Sequence, residues 1–340
     1  MTPGKHSKNA WPAKAARVGE ELPRENLHPA VLARVSRDGN AGPWCVAFSG
    51  GADSLALLLV LWAHWPERRE RLVVLHFNHR LRGRASSADA AFCVRVCRAL
   101  GVKCVLGVWR GAHADASEAE ARAARQKFFA RAMKALGARM LWLAHQQDDI
   151  AETMLMRVAR GSGTGGLAAP RPVHRTGDGR VHLRPLLTWQ KAELLATLRR
   201  AGVTWREDAT NQRDDFFRNR LRRTVVPAWV KAAGRDAFAG AALARERLEE
   251  DDDALEAWLD QLAPLRRGVL SSRILVSAPR ALWRRALHRW LLAVRPETDL
   301  SRRGFEQLLA VLMKGSDTRF SLGRNGFAVL RDGRLLWRKR

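Results

Sequence analysis

Cysteine is scarce in this chain. Only Cys45, Cys93, Cys97 and Cys104 occur in 340 residues, and no two have the C-x-x-C spacing of zinc and dithiol redox motifs. Cys93 and Cys97 stand one helical turn apart on an apolar face, which reads as buried free thiols in a reducing compartment. Long apolar runs are missing too: nothing approaches the ~18 residues needed to span a bilayer. The first residues carry Lys5, Lys8, Lys14 and Arg17 without the apolar segment of a secretory signal, and Glu20, Glu21 and Glu25 speak against a transit peptide. The expectation is a cytoplasmic protein without membrane association. Acidic residues are in deficit, 34 against 60 Lys and Arg, a formal charge of +26. Such an excess repels itself in the monomer and becomes favourable when a polyanion neutralises it and counterions are released. A compositional bias accounts for Arg outnumbering Lys but not for bases outnumbering acids, so a nucleic acid is the expected partner.

Hydrophobic residues make up 46% of the chain, enough for a real core and two modest domains. Residues 1–40 read as an irregular basic arm. Apolar runs from Trp44 to Phe48, Arg71 to Phe77, Val102 to Val108 and Met140 to Ala144 read as strands. They alternate with helical patterns over Leu55–Trp65, Ser86–Leu100, Ser117–Leu136 and Asp149–Ala159. Strands apolar on both faces, alternating with helices, imply an α/β fold with a parallel sheet covered on both sides. Ligands in such folds sit at the carboxyl ends of the strands, where Ser49–Ser54, His76–Arg82 and His145–Glu152 would gather. Gly161–Gly166 reads as a flexible loop, His182–Leu187 as a further strand and Gln190–Arg200 as a helix. Residues 41–227 form the expected first domain. Residues 228–340 form the second region, helical over 228–262 and then strongly basic, with 18 Lys and Arg against five Asp and Glu from Leu265 onward. The acidic run Glu249–Asp253 reads as a solvated helix face rather than a metal site.

Ser49-Gly50-Gly51-Ala52-Asp53-Ser54 lies at a strand-to-helix junction. Glycines let the backbone approach a phosphate, successive N–H groups form an anion nest, and the following helix adds positive partial charge at its N-terminus. The serine hydroxyls supply further donors. Asp53 would repel a phosphate unless a cation lay between them, so it is the candidate Mg²⁺ contact. The loop is neither a G-x-x-x-x-G-K-S/T nor a G-x-G-x-x-G fingerprint; the alternative is an ordinary turn. His76 and His79 in His76-Phe-Asn-His79-Arg-Leu-Arg82 suit either structural hydrogen bonding at a strand end or catalysis, and Arg82 is a candidate phosphate contact. Glu118 and Arg122 are spaced for an exposed ion pair. In Ala144-His145-Gln146-Gln147-Asp148-Asp149-Ile150-Ala151-Glu152-Thr153, Asp149 and Glu152 project from one helical face. Both favour the helix dipole there, and together they offer a site for a cation such as an ammonium group.

The S-G-G-x-D-S loop resembles the signature of the PP-loop ATP pyrophosphatases, which cleave ATP between the α and β phosphates and adenylylate an oxygen of their substrate. H-x-N-H-x-L-R at His76–Arg82 and A-H-x-x-D-D-x-x-E-T at Ala144–Thr153 resemble the lysidine synthase family within that group. So do Arg160–Leu167, Arg184–Leu187, Trp205–Asn211 and Arg218–Arg222 with Val226-Pro227. Glu118–Phe129 matches the family's arginine-bearing helix approximately, and Gln146 stands where the family usually has a second histidine. The resemblance covers residues 44–230 and implies a Rossmann-like PP-loop domain followed by a mainly helical region and a small basic C-terminal domain that binds tRNA. It further implies ATP and Mg²⁺ as cofactors and free L-lysine and an isoleucine tRNA with a CAU anticodon as substrates. Lysine would be ligated to C2 of the first anticodon cytidine through an adenylylated intermediate. The implied catalytic residues are Asp53, Arg122 (with Arg125 as the alternative), His145, Asp149 and Glu152, and Ser49 to Ser54 would hold the nucleotide. Two other readings stand beside it. A PP-loop tRNA thiolase would need cysteine pairs with another spacing, and a non-catalytic RNA-binding protein would have a degenerate loop. The sequence sets no oligomeric state.

Overall fold

In the computed structural model, residues 10–38, 42–81, 83–113, 116–207, 217–294 and 300–339 are described. The chain divides into two compact units, Met1–Arg247 and Leu248–Arg340.

The first unit is built on a six-stranded sheet. Its strands are β1 (Trp44–Ala47), β2 (Leu72–Asn78), β3 (Lys103–Val108), β4 (Met140–Trp142), β5 (Val173–Arg175) and β6 (Val181–Leu183), in the spatial order β3-β2-β1-β4-β6-β5. All neighbours run parallel except β5, which pairs antiparallel with β6. Successive side chains of a strand point to opposite faces, and the core divides accordingly. Trp44, Val46, Leu72 and Val74 join one buried cluster, and Cys45, Val73 and Leu75 join another. The first cluster packs against helices α1 (Ala10–Glu21), α2 (Pro29–Asp38), α3 (Ala52–His64), α4 (Arg84–Leu100) and, later in the chain, the helix Lys191–Arg200. The second packs against α5 (Glu118–Ala135) through Phe128, Phe129 and Met133. Helix α3 is apolar all round, with every residue from Leu55 to Leu61 buried, as a helix covered on both sides must be.

The expectation of an irregular arm over 1–40 is corrected over residues 10–38 by α1 and α2; residues 1–9, 39 and 40 lie outside the described residues. Ala15 and Val18 in the first helix, Leu22 just beyond its end, and Val31 and Val35 in the second are buried. The apolar spacing was present but diluted by the surrounding charges.

Helix α6 (Gln147–Val158) follows β4. A short helix α7 (Thr164–Leu167) occupies part of the segment expected to be a flexible glycine loop. The expected strand His182–Leu187 ends early, at Leu183, and Pro185–Thr188 forms a 3₁₀ turn, because proline cannot donate to a strand ladder. Helix α8 (Lys191–Arg200) closes this region. Helices α9 (Phe217–Arg220) and α10 (Val226–Ala233) are joined by a π-helical turn, Leu221–Val225. Pro227 has no N–H for the carbonyl one turn back, so the ladder must loosen ahead of it. Helix α11 (Ala237–Leu262) carries the chain from the first unit into the second.

The second unit holds a five-stranded antiparallel sheet. Its strands are β7 (Leu265–Arg266), β8 (Val269–Ser271), β9 (Thr318–Ser321), β10 (Phe327–Arg331) and β11 (Arg334–Arg338), in the order β7-β8-β11-β10-β9, with helices α12 (Arg280–Val294) and α13 (Arg302–Lys314). Trp283 and Trp290 are buried in its core. In the acidic run, Asp252 is buried and bonded to Arg285 at 2.6 Å, so part of that run is an internal ion-pair partner and not a solvated face. Arg285 and Arg289 also bond Glu256. Among the described residues no helix is long and apolar enough to cross a membrane.

Candidate functional site

The sheet order fixes where the polar segments meet. β1 lies between β2 and β4, so the loops leaving their carboxyl ends are neighbours, about 4.8 Å apart from strand to strand. Chain crossovers from β1 run one way to β2, while β4 lies on its other side, which is the switch point where α/β sheets open a crevice.

After β1 the chain turns through Ser49–Ser54 into α3. Gly50 has φ +91°, a conformation that L side chains rarely adopt, and a Cβ there would stand 3.2 Å from Cys93 Sγ. The positive φ favours glycine, and the close thiol adds crowding to the strain. Ser54 Oγ anchors the loop by donating to Gly51 O at 3.0 Å and accepting from Ser49 N at 3.2 Å, and it lies 3.0 Å from Ser49 Oγ. Gly51 N donates to Ser49 Oγ at 3.3 Å. Arg206 N donates to Gly50 O at 3.0 Å, and its guanidinium bonds Asp89 at 2.7 Å, so the Trp205–Glu207 segment braces the loop.

Asp53 sits in the first turn of α3. Its Oδ2 is 3.9 Å from Lys191 Nζ, while its buried Oδ1 has no hydrogen-bond partner. Burial pushes its pKa up to about 6 against the pull of Lys191, and the carboxylates of Asp149 and Asp148 add to the rise. A half-buried acid whose one buried oxygen is unanswered, beside an anion nest, has the chemistry of a Mg²⁺ contact. Mg²⁺ commonly takes one or two carboxylates and completes its shell with phosphate and water. Among the described residues no group of three or more His, Cys, Asp or Glu could hold a metal without such help.

After β4 come His145 and α6. Gln146, where a second histidine was expected, is buried and caps the helix: its Oε1 accepts from Asp148 N at 2.5 Å, and Asp149 Oδ2 accepts from Gln146 N at 3.0 Å. Asp149 and Glu152 do share a face, as their spacing implied, but they meet two cations of the chain's own. Arg218 donates to Asp149 Oδ1 at 2.5 Å and to Glu152 Oε2 at 2.7 Å; Arg222 donates to Glu152 Oε1 at 2.6 Å and to Oε2 at 2.9 Å. Glu152 is 2% exposed. Burial works against both guanidinium charges, but the two carboxylates more than offset it and hold Arg218 and Arg222 firmly protonated.

His145 lies among cations. Its Nδ1 accepts from Arg184 Nε at 3.3 Å. Enclosure, reinforced by Arg184, Arg218, Arg122 and Arg125, drives its pKa well down, so the ring is neutral at physiological pH. Arg122 and Arg125 both bear on it, so helix α5 does turn this arginine face to the site. Burial lowers Arg184 to about 10, and Arg122 adds to the fall. His76 is a strand-end histidine: its Nδ1 lies 2.9 Å from Phe48 O, the residue before the glycine loop.

Sequence reasoning passed over several members of this cluster. Asp148 accepts from Lys191 N at 2.9 Å, and burial raises its pKa. Asp148, Glu152, Lys191 and Arg222 line a cleft of about 290 Å³ whose other wall is Val226, Pro227, Val230 and Phe238. Asp148, the first acid of the D-D motif, was visible in the sequence; Lys191 carried no local signal. Arg82, the side chain of Glu118 and Asp208–Asn211 lie outside the described residues.

Comparison with known proteins agrees with this geometry. The PP-loop domain family model matches residues 27–229. The tRNA(Ile)-lysidine synthase of Symbiobacterium thermophilum is 40% identical over 257 residues, covering 71% of this chain and 53% of that protein. The enzyme of the same name from Rhodopseudomonas palustris is 40% identical over 242 residues, covering 68% of each. The chain thus spans little more than half of some curated relatives. Among solved structures, the U34-tRNA thiolase NcsA of Methanococcus maripaludis aligns with a TM-score of 0.52 at 17% identity, covering 70% of this chain and 78% of that one, a likeness of fold.

Proposed function

From the premise that this chain belongs to the tRNA(Ile)-lysidine synthase family of PP-loop proteins, we propose that it ligates free L-lysine to C2 of the cytidine at the first anticodon position of an isoleucine tRNA with a CAU anticodon. The C2 oxygen of cytosine is a poor leaving group. Attack of that oxygen on the α-phosphorus of ATP releases pyrophosphate and gives an adenylylated cytidine. The lysine ε-amine then attacks C2 and AMP departs. The observation that carries this reading is the junction of an ATP-type glycine loop with the Asp149–Glu152 helix on adjacent strands, near enough that Asp149 perturbs Asp53.

Ser49, Gly50, Gly51, Ala52 and Ser54 hold the phosphates. Asp53 would hold Mg²⁺, which when bound neutralises charge on the leaving pyrophosphate. Neutral His145, with Arg122 and Arg184, contacts the nucleotide. The cleft beside Glu152 suits lysine: Val226, Val230 and Phe238 line the stem, Arg222 and Lys191 face the α-carboxylate, and the acids face the ammonium. Only about one free lysine amine in ~10³ is neutral at pH 7, so a proton must leave. An ionised carboxylate accepts about four hydrogen bonds, which leaves Asp149 room for the ammonium beside Arg218 and Gln146. Asp149 orients and deprotonates the amine, Asp148 shares the proton, and Glu152 assists by fixing Arg218 and Arg222. The basic second unit grips the tRNA backbone, chiefly through phosphate contacts.

Radiolabelled lysine, incubated with the protein, ATP and a panel of tRNAs, should label the CAU-anticodon isoleucine tRNA alone. Asp149→Asn should lower the rate at least ~10²-fold, the scale of a lost acid–base group. Labelling of other tRNAs, or wild-type rates in the variant, would contradict the assignment.

A further inference from the structure

A line of aromatic rings leaves the core at the carboxyl end of β2 and β3, and none of the chemistry above uses it. Phe128 is buried and stacks on Phe77, with ring centroids 5.4 Å apart and planes at 24°. Phe77 meets His79 edge-on at 4.8 Å, His79 meets Trp109 edge-on at 6.1 Å, and Trp109 lies 6.5 Å from His113. Core tryptophans such as Trp44, Trp142 and Trp290 are at most 2% exposed. Trp109 is only partly covered, and exposed apolar residues adjoin it in sequence, Leu106 and Val108, with Leu81 also exposed beyond His79.

The position of this group is well fixed. Trp109 N donates to Asn78 O at 2.9 Å, and Asn78 Oδ1 accepts from Arg80 N at 2.8 Å. Arg80 is thereby pinned at φ +58° beside the aromatic line, and Arg110 follows Trp109 directly; both are exposed. The same strand, β2, carries His76, whose ring meets the residue before the glycine loop. β3 lies one strand beyond β2, so the platform stands about 10 Å from β1 along the same sheet edge.

We propose that Trp109, flanked by His79 and His113, is a stacking platform for an unpaired base of the anticodon loop next to the cytidine that enters the site, with Arg80 and Arg110 meeting the adjoining phosphates. The inference rests on the tRNA reading above. Taking one base out of a loop breaks stacking on its neighbours. An aromatic face within reach restores it without regard to base identity, and flanking arginines complement the backbone charge. A solvent-accessible Trp–His pair between two arginines has that chemistry, and its distance from β1 suits a neighbouring nucleotide rather than the target itself.

The test uses the full chain and a fluorescently labelled RNA stem–loop carrying the CAU anticodon. Trp109→Ala should weaken binding by about 5- to 150-fold, the range for loss of one stacked base. Trp109→Phe should recover most of it. The slope of log affinity against log salt should stay as in wild type for Trp109→Ala and fall by about one for Arg110→Ala. Affinity for an ATP analogue with a methylene between its α and β phosphates should be unchanged in Trp109→Ala, which also shows that the fold is intact. Wild-type RNA affinity in Trp109→Ala overturns the platform while leaving the proposed reaction standing. Loss of analogue affinity with RNA binding intact makes Trp109 an adenine contact instead. A wild-type chain that does not bind the stem–loop overturns the tRNA reading, and the platform with it.

Discussion

Asp53 holds the central conflict of the site in one side chain. It is a half-buried acid beside two others, Asp148 and Asp149, with Lys191 3.9 Å away and the charge of Arg222 as counterweights. Its pKa stands at about 6 in the folded chain against an ordinary 3.8. The folded state therefore binds more protons than the unfolded one between those values, and stability falls as pH rises through that window. Above it, the ionised group destabilises the protein without its ligands by roughly 1–2 kcal/mol, allowing for partial exposure. Asp53→Asn should accordingly raise the melting temperature by a few degrees at pH 7.5 and by clearly less at pH 5, while lowering lysine incorporation sharply. Calorimetric scans of both proteins at the two pH values check this; equal shifts at both would contradict it. Such a trade of stability for function is usual where a site gathers like charges.

At the scale of elements, α1 lies on α3 through a close approach. A Cβ at Gly19 would stand 2.7 Å from Ala63 Cβ. Alanine gains about 1 kcal/mol of helix propensity over glycine, but overpacking costs about 1–3 kcal/mol, so Gly19→Ala should be net destabilising by about 1 kcal/mol. Urea unfolding checks the sign, and a more stable variant would show that the helices can part freely. The N-terminal helices also show what limited the sequence reading. β1, β2 and α3 were legible because runs such as Val73-Val74-Leu75 are unbroken by charge. α1 was not, because Ala15, Val18 and Leu22 stand among Lys14, Arg17, Glu20 and Glu21. β10 and β11 carried a usable signal: Asp332 and Gly333 both have positive φ, the Asp-Gly turn that a tight hairpin favours, hidden in a segment dominated by arginine. In the site, the acids could be placed on one helix face by spacing alone. Their pairing with Arg218 and Arg222 could not, because it joins residues 66 and 70 positions apart and depends on how α9 and the π-turn pack beside α6.

For the whole molecule, the basic excess is only partly spent within the fold. In the second unit Arg285 and Arg289 are engaged by Asp252, Glu256 and Asp260, yet the chain keeps a formal +26. That charge suits a substrate that is a polyanion, the crevice beside β1 suits nucleotide chemistry, and under the proposed function both serve one reaction. Withholding lysine while supplying ATP labelled at the α-phosphorus and the CAU-anticodon isoleucine tRNA tests this most directly. Label should appear on the RNA, and added lysine should chase it into AMP. Label recovered in ADP, or lysine joined to the tRNA with no labelled RNA ever formed, would contradict it.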